Sequence, residues 1–238
     1  MDKILSYSSN PELWFRSLGL TILIILLIVT IGYFLPKKEY KVIFTKFIGV
    51  LLFIRFSFLH GYEVGLNHWN IFNSLPLHLC GISSIVCIII MFNYNQSLFE
   101  YIVLLGIPSA IHSILTPQFI HGWDGYYFYD FYFTHGAILL VPLYLTVVFG
   151  HKIRRDSWKT AFINGLILAA IIGIVNIIIG VFYGIFSNYM YLCTAPIADN
   201  PLLLTSQWPY YIPMIIFFMF IHVMIVFYIY KLIGKVSK

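Results

Sequence analysis

The sequence predicts an all-α polytopic membrane protein, a bundle of about seven transmembrane helices with its N-terminus outside and its C-terminus inside. Hydrophobic residues make up 61% of the 238 residues, and the mean hydropathy is +0.90. Charged residues make up only 10%, whereas soluble domains carry about 25%. Six or seven apolar runs reach roughly 18 residues, the length that crosses a hydrocarbon core of about 30 Å. We therefore expect residues 1–238 to form one transmembrane domain, with little room for a soluble one.

Short polar or turn-forming segments separate the apolar runs. The first run ends at "PKKEYK", the third at "NYNQS" and the fifth at "HKIRRDSWK". The first run is too long for a signal-peptide core, and no small-residue cleavage site follows it. Pro108, Pro142 and Gly173 lie within later runs and are compatible with polytopic packing. The predicted helices are, in chain order, 14–35, 42–60, 74–92, 98–116, 131–150, 160–183 and 209–230.

The distribution of basic residues predicts the orientation. Lys and Arg cluster in the segments after the first and fifth helices and in the tail after the seventh, but the segments after helices two, four and six contain none. The positive-inside rule then places the N-terminus outside and the C-terminus inside, which requires an odd number of spans. Because topology explains these basic residues, the net charge of +5 does not indicate nucleic-acid binding.

The loop 184–208 is the longest predicted outer segment. It is rich in turn-forming Asn, Pro and Asp residues, yet it is apolar enough to fold back onto the bundle. Two interpretations stay open: a lid over an outer cavity, or an ordinary interfacial loop.

Polar residues inside the predicted helices share one depth, just below the outer headgroups. Each ionisable residue in a span costs about 2.5–3.5 kcal/mol on insertion scales, so each requires a reason. If the helices close into a bundle, these residues line one cavity, whereas His222 is predicted nearer the inner side. The outer set comprises Arg55, His60, His78, Cys80, His112, Asp130, His135 and Asn176.

Each of these residues also has a plainer interpretation. An intramembrane histidine such as His112 or His222 can be an interhelical hydrogen-bond partner, worth about 0.6 kcal/mol on average. Arg55 either snorkels to the interface or binds a lipid phosphate through its fork of donors. A metal held by His78 and His135 with His112 or Asp130 is disfavoured, since no His-x-x-x-His pair is present. We expect no cofactor and no metal, and the three cysteines form no disulfide framework or zinc spacing.

Three segments carry a resemblance to a known family. "LPLHLCG" (75–81), "THGAILLVPLYL" (134–145) and "NYMYLCTAPIADNPLL" followed by "WPYY" (188–211) together resemble the bacterial YwaF-like integral membrane proteins, which look related to the eukaryotic transmembrane protein 164 family. The likeness extends from helix two through helix seven. It implies a seven-helix bundle and, in the eukaryotic branch, an acyltransferase that moves fatty acyl chains between phospholipids through a cysteine nucleophile.

The resemblance assigns roles residue by residue. The Pro-Cys-His tripeptide of the eukaryotic branch reads Pro76, Leu77, His78 here, so a leucine occupies the position of the nucleophile. His135 matches the histidine of "THG". Cys80 is two residues past His78, so it points roughly 200° away around the helix and is not expected to replace the missing thiol.

The leading hypothesis is a lipid enzyme that performs acyl transfer or acyl hydrolysis on phospholipids or lysophospholipids at the outer leaflet of the cell membrane. His78 and His135 are the predicted catalytic pair, acting as general base and acid. Thr134, Ser83 and Ser84 are candidate nucleophiles, and their spacing does not single out one of them.

Whether the protein is an enzyme stays open. One alternative is a transporter or binding protein for a small or lipidic solute, whose site would lie near the midplane. The other is a subunit or chaperone that works only through partners. The predicted substrate-binding residues are Arg55, His112, Asp130, Asn176, Tyr189 and Tyr191.

Overall fold

The computed structural model describes residues 10–117, 119, 125–196 and 203–237. Within these residues, six helices are long and apolar enough to cross a membrane, and a seventh apolar helix, α3, has 14 residues. The predicted all-α bundle is confirmed, whereas the orientation of its termini stays a prediction. The helices are α1 Pro11–Phe34, α2 Lys38–Gly65, α3 Leu79–Phe92, α4 Gln96–Leu115, α5 Tyr126–Val148, α6 Ser157–Tyr183 and α7 Tyr211–Leu232.

The third helix begins at Leu79, whereas the sequence predicted a start at residue 74. Pro76 is the physical reason, because a proline disfavours helical backbone at the residue before it. The Leu77 N–H donates to the Leu75 carbonyl at 2.7 Å in a tight turn. His78 follows with extended backbone (φ −68°, ψ 152°) and forms the N-cap of α3. His78 and Cys80 are therefore not related by helical geometry, and the predicted 200° separation is wrong.

The central helix is α5, which packs against α1, α3 and α4. Buried residues occur all around its circumference, and they include Asp130, Thr134 and His135. By contrast, α1, α2, α6 and α7 turn large apolar side chains outward, as helices that face lipid do. The central position of α5 therefore directs its polar side chains toward protein.

Glycines allow α1 to approach α5 closely. A Cβ on Gly32 would lie 2.4 Å from a ring carbon of Tyr144, and a Cβ on Gly136 would lie 2.8 Å from the Thr21 methyl group. Membrane helices use small residues in this way because lipid supplies no hydrophobic drive for their association.

A polar cluster closes the end of the bundle where α3 ends and α4 begins. Arg154 forms a bidentate ion pair with the buried Glu100, and its backbone N–H also donates to Oε1 of Glu100 at 2.7 Å. Gln96 donates to the same oxygen at 2.9 Å. The chain after α7 returns to this end, where Ile153 and Val236 form a short backbone bridge. The loop after α5 is thereby fixed to α4 and to the C-terminal segment.

The stability of this end is expected to depend on pH through His151. Its ring stacks on Tyr94, with 3.8 Å between ring centroids, and burial lowers the pKa of His151 from its ordinary value of 6.5. The unfolded chain then binds a proton at His151 more readily than the folded one does. The stability that neutral His151 contributes to the fold is therefore present above about pH 6.5 and is lost as the pH falls below it.

We therefore expect the melting temperature to fall between about pH 7.5 and about pH 5. The fall should be smaller in His151→Phe, which keeps the aromatic stack but cannot take up a proton. Thermal unfolding in detergent at both pH values compares the two proteins. Equal falls in wild type and variant would contradict this role of His151.

Candidate functional site

A cavity of about 1070 Å³ lies inside the other half of the bundle. Its walls come from α3, α4, α5, α6, α7 and the loop between α6 and α7. Most of the lining is apolar, and among the described residues it includes no Lys, Arg, Asp or Glu. The polar residues that line it are His78, Cys80, Ser109, His112, Ser113, Thr116, His135, Tyr191 and His222, with Trp208 and Tyr210 at the loop side.

His78, His112 and His135 all line this cavity. Their shared depth in the sequence predicted that they would line a single cavity. The roles given to them stay predictions. His222, which the sequence placed apart from this set, lines the same cavity, because α7 runs along its wall.

Cys80 lies beside His135, and sequence reasoning missed this pair. The thiol and the imidazole line the same cavity and are close enough to interact electrostatically, and Sγ of Cys80 is 3.4 Å from Oγ of Ser113. Nδ1 of His135 lies 2.7 Å from the Phe131 carbonyl oxygen. Since a carbonyl only accepts, Nδ1 carries the proton and Nε2 of the neutral ring is left to accept one. A thiol next to such a nitrogen is the arrangement of an activated nucleophile and its base.

Cys80 is also the second residue of α3. The first N–H of this helix to find an intrahelical acceptor is that of Ile82, which donates to the His78 carbonyl at 3.0 Å. The preceding N–H groups mark the positive end of the helix, which stabilises a nearby anion. Gly81 permits this turn, since a Cβ there would lie 2.9 Å from the backbone of Pro76.

His78 is held in the opposite tautomer to His135. Its Nδ1 accepts from the Met190 N–H at 3.3 Å, so in the neutral ring Nε2 carries the proton and is a donor. The ring packs against Tyr189 and Tyr191, with centroids 5.5 and 5.2 Å away. Met190 and Tyr191 both have positive φ, 57° and 55°. Such strained backbone is common next to functional sites.

The backbone around His78 is fixed by Asn176 and Tyr189. The fully buried Asn176 accepts from the Ser187 hydroxyl at 2.7 Å and donates to the Tyr189 carbonyl at 3.0 Å. The Tyr189 hydroxyl donates to the Ile71 carbonyl at 2.8 Å and accepts from the Leu75 N–H at 3.0 Å. These bonds join the loop before α3 to the loop after α6. The predicted substrate-binding role of Asn176 and Tyr189 stays a prediction; Tyr191 lines the cavity.

Part of the predicted lid can be placed. Met190, Tyr191, Leu192, Pro196, Leu203 and Trp208 line the cavity. The Trp208 indole N–H donates to the Leu192 carbonyl at 3.1 Å. Residues 197–202 lie outside the described residues, and the role of the loop as a lid stays a prediction.

Arg55 and Asp130 form an ion pair between α2 and α5. Nε of Arg55 donates to Oδ1 of Asp130 at 2.6 Å, and a second guanidinium nitrogen donates to Oδ2. Tyr126 donates to Oδ1 at 2.9 Å, and Thr134 lies 3.5 Å from Oδ2. Neither Arg55 nor Asp130 lines the cavity. Their role in substrate binding stays a prediction, and a phosphate would have to compete with this pair.

The other nucleophile candidates are placed away from the cavity. Thr134 faces Asp130, and neither Ser83 nor Ser84 contributes to the lining. Among the described residues, no group of three or more His, Cys, Asp or Glu side chains is arranged to hold a metal ion. Of the residues considered from sequence, Cys80 and His135 thus have the most direct arrangement for covalent chemistry.

Comparison with known proteins identifies a family. The family model described as the TMEM164 family matches residues 6–233. No curated protein and no solved structure matches the sequence. The resemblance to the transmembrane protein 164 family is confirmed, while the YwaF-like designation and the placement in the cell membrane stay predictions. Because the match spans nearly the whole chain and the helices have membrane-spanning length, this multi-pass membrane protein belongs to the TMEM164 family.

Proposed function

We propose that this protein transfers fatty acyl chains between membrane phospholipids, with Cys80 as nucleophile and His135 as its base. The single observation that carries the proposal is the contact of the Cys80 thiol with the His135 imidazole on one largely apolar cavity. Leucine at position 77 does not remove the thiol from the site, since Cys80 reaches the cavity from the first turn of α3.

In the first half-reaction, Nε2 of His135 takes the thiol proton and Sγ of Cys80 attacks the carbonyl carbon of a phospholipid ester. The N–H groups at the start of α3 and the Nε2–H of His78 are the donors available to the developing oxyanion. The ester C–O bond then breaks, and the glycerol oxygen leaves with the proton from His135. The products are an acyl thioester on Cys80 and a lysophospholipid.

The second half-reaction runs in the reverse sense with another acceptor. Nε2 of His135 removes the proton from a lysophospholipid hydroxyl, whose oxygen attacks the thioester carbonyl. The C–S bond breaks, and the proton returns from His135 to Sγ. If water takes the place of the hydroxyl, the product is a free fatty acid, so transfer and hydrolysis compete at the same thioester.

The cavity suits an acyl chain. Its volume of about 1070 Å³ is slightly above the range of about 300–1,000 Å³ for small-molecule sites. Its lining has no cationic side chain among the described residues, so the phosphate of a donor lipid is expected to stay outside it. Membrane lipids are therefore the proposed partners.

The transporter hypothesis has less support. A transported solute must also pass the far end of the bundle, where Arg154 is paired with Glu100 and the C-terminal segment is bridged to the loop after α5. We therefore place transport second.

The test is detection of the acyl-enzyme. The protein in lipid nanodiscs receives phospholipid with an isotope-labelled acyl chain and unlabelled lysophospholipid, and intact-protein and lipid mass spectrometry follow both. We expect a labelled acyl adduct on wild type and on Cys193→Ala, a matched control in the loop. Cys80→Ala should show neither adduct nor labelled product. An adduct that persists in Cys80→Ala, or folded wild type that forms no adduct and no product, would refute the proposal.

A further inference from the structure

We infer that the hydroxyl of Ser113 donates a hydrogen bond to the sulfur of Cys80 and stabilises the thiolate that attacks the ester. This inference rests on the proposed function and adds a further residue to its reacting centre. Oγ of Ser113, on α4, lies 3.4 Å from Sγ of Cys80, on α3. Both side chains line the cavity.

The backbone of α4 determines where Ser113 points. Between Ile102 and Gly106 the helix widens into a π turn, in which the Ile107 N–H donates to the Ile102 carbonyl five residues earlier. Pro108 follows directly; it has no N–H, and in a regular helix its ring would clash with the carbonyl four residues earlier. A π turn holds one additional residue, so it rotates the rest of α4 by about 100° relative to its start. The π turn therefore sets which side chains after Pro108 face the cavity.

The helix face that includes Ser113 lies against α3 and α5. A Cβ on Gly106 would lie 3.3 Å from Ile138 of α5 and 3.5 Å from Oγ of Ser83 of α3. Ser109 and Ser113 come three and seven residues after Gly106, so they lie on the same face of α4. Ser109 donates to the Gly106 carbonyl at 2.8 Å, so its hydroxyl proton is engaged within α4. Ser113 is thus directed to the seam between the two helices that carry the thiol and its base.

The tautomer of His135 decides the direction of the bond between Ser113 and Cys80. Nε2 of His135 is an acceptor in the neutral ring and takes the thiol proton in the proposed mechanism. The sulfur is then left to accept, and the single donor of the Ser113 hydroxyl faces it. This bond strengthens when the sulfur becomes charged, because a hydrogen bond to an ionised acceptor is roughly twice as strong as a neutral one. Ser113 keeps its own proton throughout, so it stabilises the thiolate without acting as the base.

The test is the pH profile of Cys80 alkylation by iodoacetamide, a reaction of the thiolate that needs no lipid substrate. Tandem mass spectrometry of the protein from nanodiscs locates the label at Cys80. In Ser113→Ala we expect the midpoint of the profile to rise by about one pH unit, the loss of one hydrogen bond to a charged group. The single-turnover rate of acyl-enzyme formation should fall about 10-fold.

Two further variants separate the hydroxyl from packing. Ser113→Thr and Ser113→Val introduce side chains of the same branched shape, of which only the first has a hydroxyl. Ser113→Thr should restore the wild-type midpoint, and Ser113→Val should match Ser113→Ala. Ser84→Ala is the matched control, since it makes the same change in α3 at a residue outside the cavity lining, and it should keep the wild-type midpoint.

The comparison isolates position 113 because every variant keeps the other titratable groups near the thiol and its base. These are His78, Tyr101, His135 and Tyr191, with Arg55 acting on His135.

Two outcomes would overturn the inference. One is an unchanged midpoint in a Ser113→Ala protein that circular dichroism shows to be folded. The other is a Ser113→Thr protein that reacts like Ser113→Val, since packing and not the hydroxyl would then set the rate. A wild type that is alkylated at Cys80 but forms no acyl adduct would instead refute the proposed function, so the two failures are distinguishable.

Discussion

Replacement of Cys80 by serine is expected to reduce the rate of acyl transfer by at least about 100-fold, since a hydroxyl is a much weaker nucleophile than a thiolate. Serine preserves the size of the side chain and a hydrogen bond to Ser113. His135→Gln should cost about 10²- to 10⁴-fold, the usual contribution of a general base. Because the two groups act as a unit, the double variant should be little slower than the worse single variant.

Single-turnover rates in nanodiscs measure these effects. Alkylation of Cys80 by iodoacetamide gives a second readout that needs no lipid substrate, and it should slow in His135→Gln because less thiolate is present. Cys193→Ala is the matched control for both readouts. Full activity in Cys80→Ser would contradict the nucleophile–base pair. So would a double variant whose rate reduction equals the product of the two single reductions.

Removal of Arg55 is expected to have the largest effect on stability. In Arg55→Met the carboxylate of Asp130 stays buried without its counter-charge, which costs about 3–5 kcal/mol for a buried pair. The side chains of Arg55 and Asp130 are only 12% and 9% exposed, so water does little to replace the interaction. The double variant Arg55→Met/Asp130→Leu should recover much of the loss, because neither charge remains.

Unfolding in detergent micelles, followed by circular dichroism, gives the free energies for this cycle. Arg16→Met is the control, since the ion pair of Arg16 with Glu12 is exposed and is expected to contribute less than about 1 kcal/mol. Equal destabilisation of the single and double variants would contradict the coupling. A stable Arg55→Met protein with weakened phospholipid binding would instead support the phosphate contact that the sequence suggested.

Much of the fold was readable from the sequence. A helix that crosses lipid must satisfy its own backbone and present apolar side chains over a fixed length, so composition and run length sufficed to predict seven helices. The same constraint made depth readable, which is why His78, His112 and His135 were expected on one cavity. Two predicted ends differ from the structure: α2 extends to Gly65 and not to residue 60, and α5 begins at Tyr126 and not at residue 131. At both ends polar and aromatic residues continue the helix past the apolar run.

The sequence did not show in the same way how each helix is rotated about its axis, and so which side chains face each other. The sequence determined the class of the protein, its helices and the depth of its histidines, because those depend on local composition. Only the tertiary structure decided that Cys80 meets His135, that His78 is a donor and that His222 belongs to the site. The first two depend on the course of the chain just before α3, and Tyr189, more than 100 residues further along the chain, holds that loop through its bonds to Ile71 and Leu75. The third depends on the packing of α7 along the cavity. Contacts between residues so distant in sequence arise only when the helices pack.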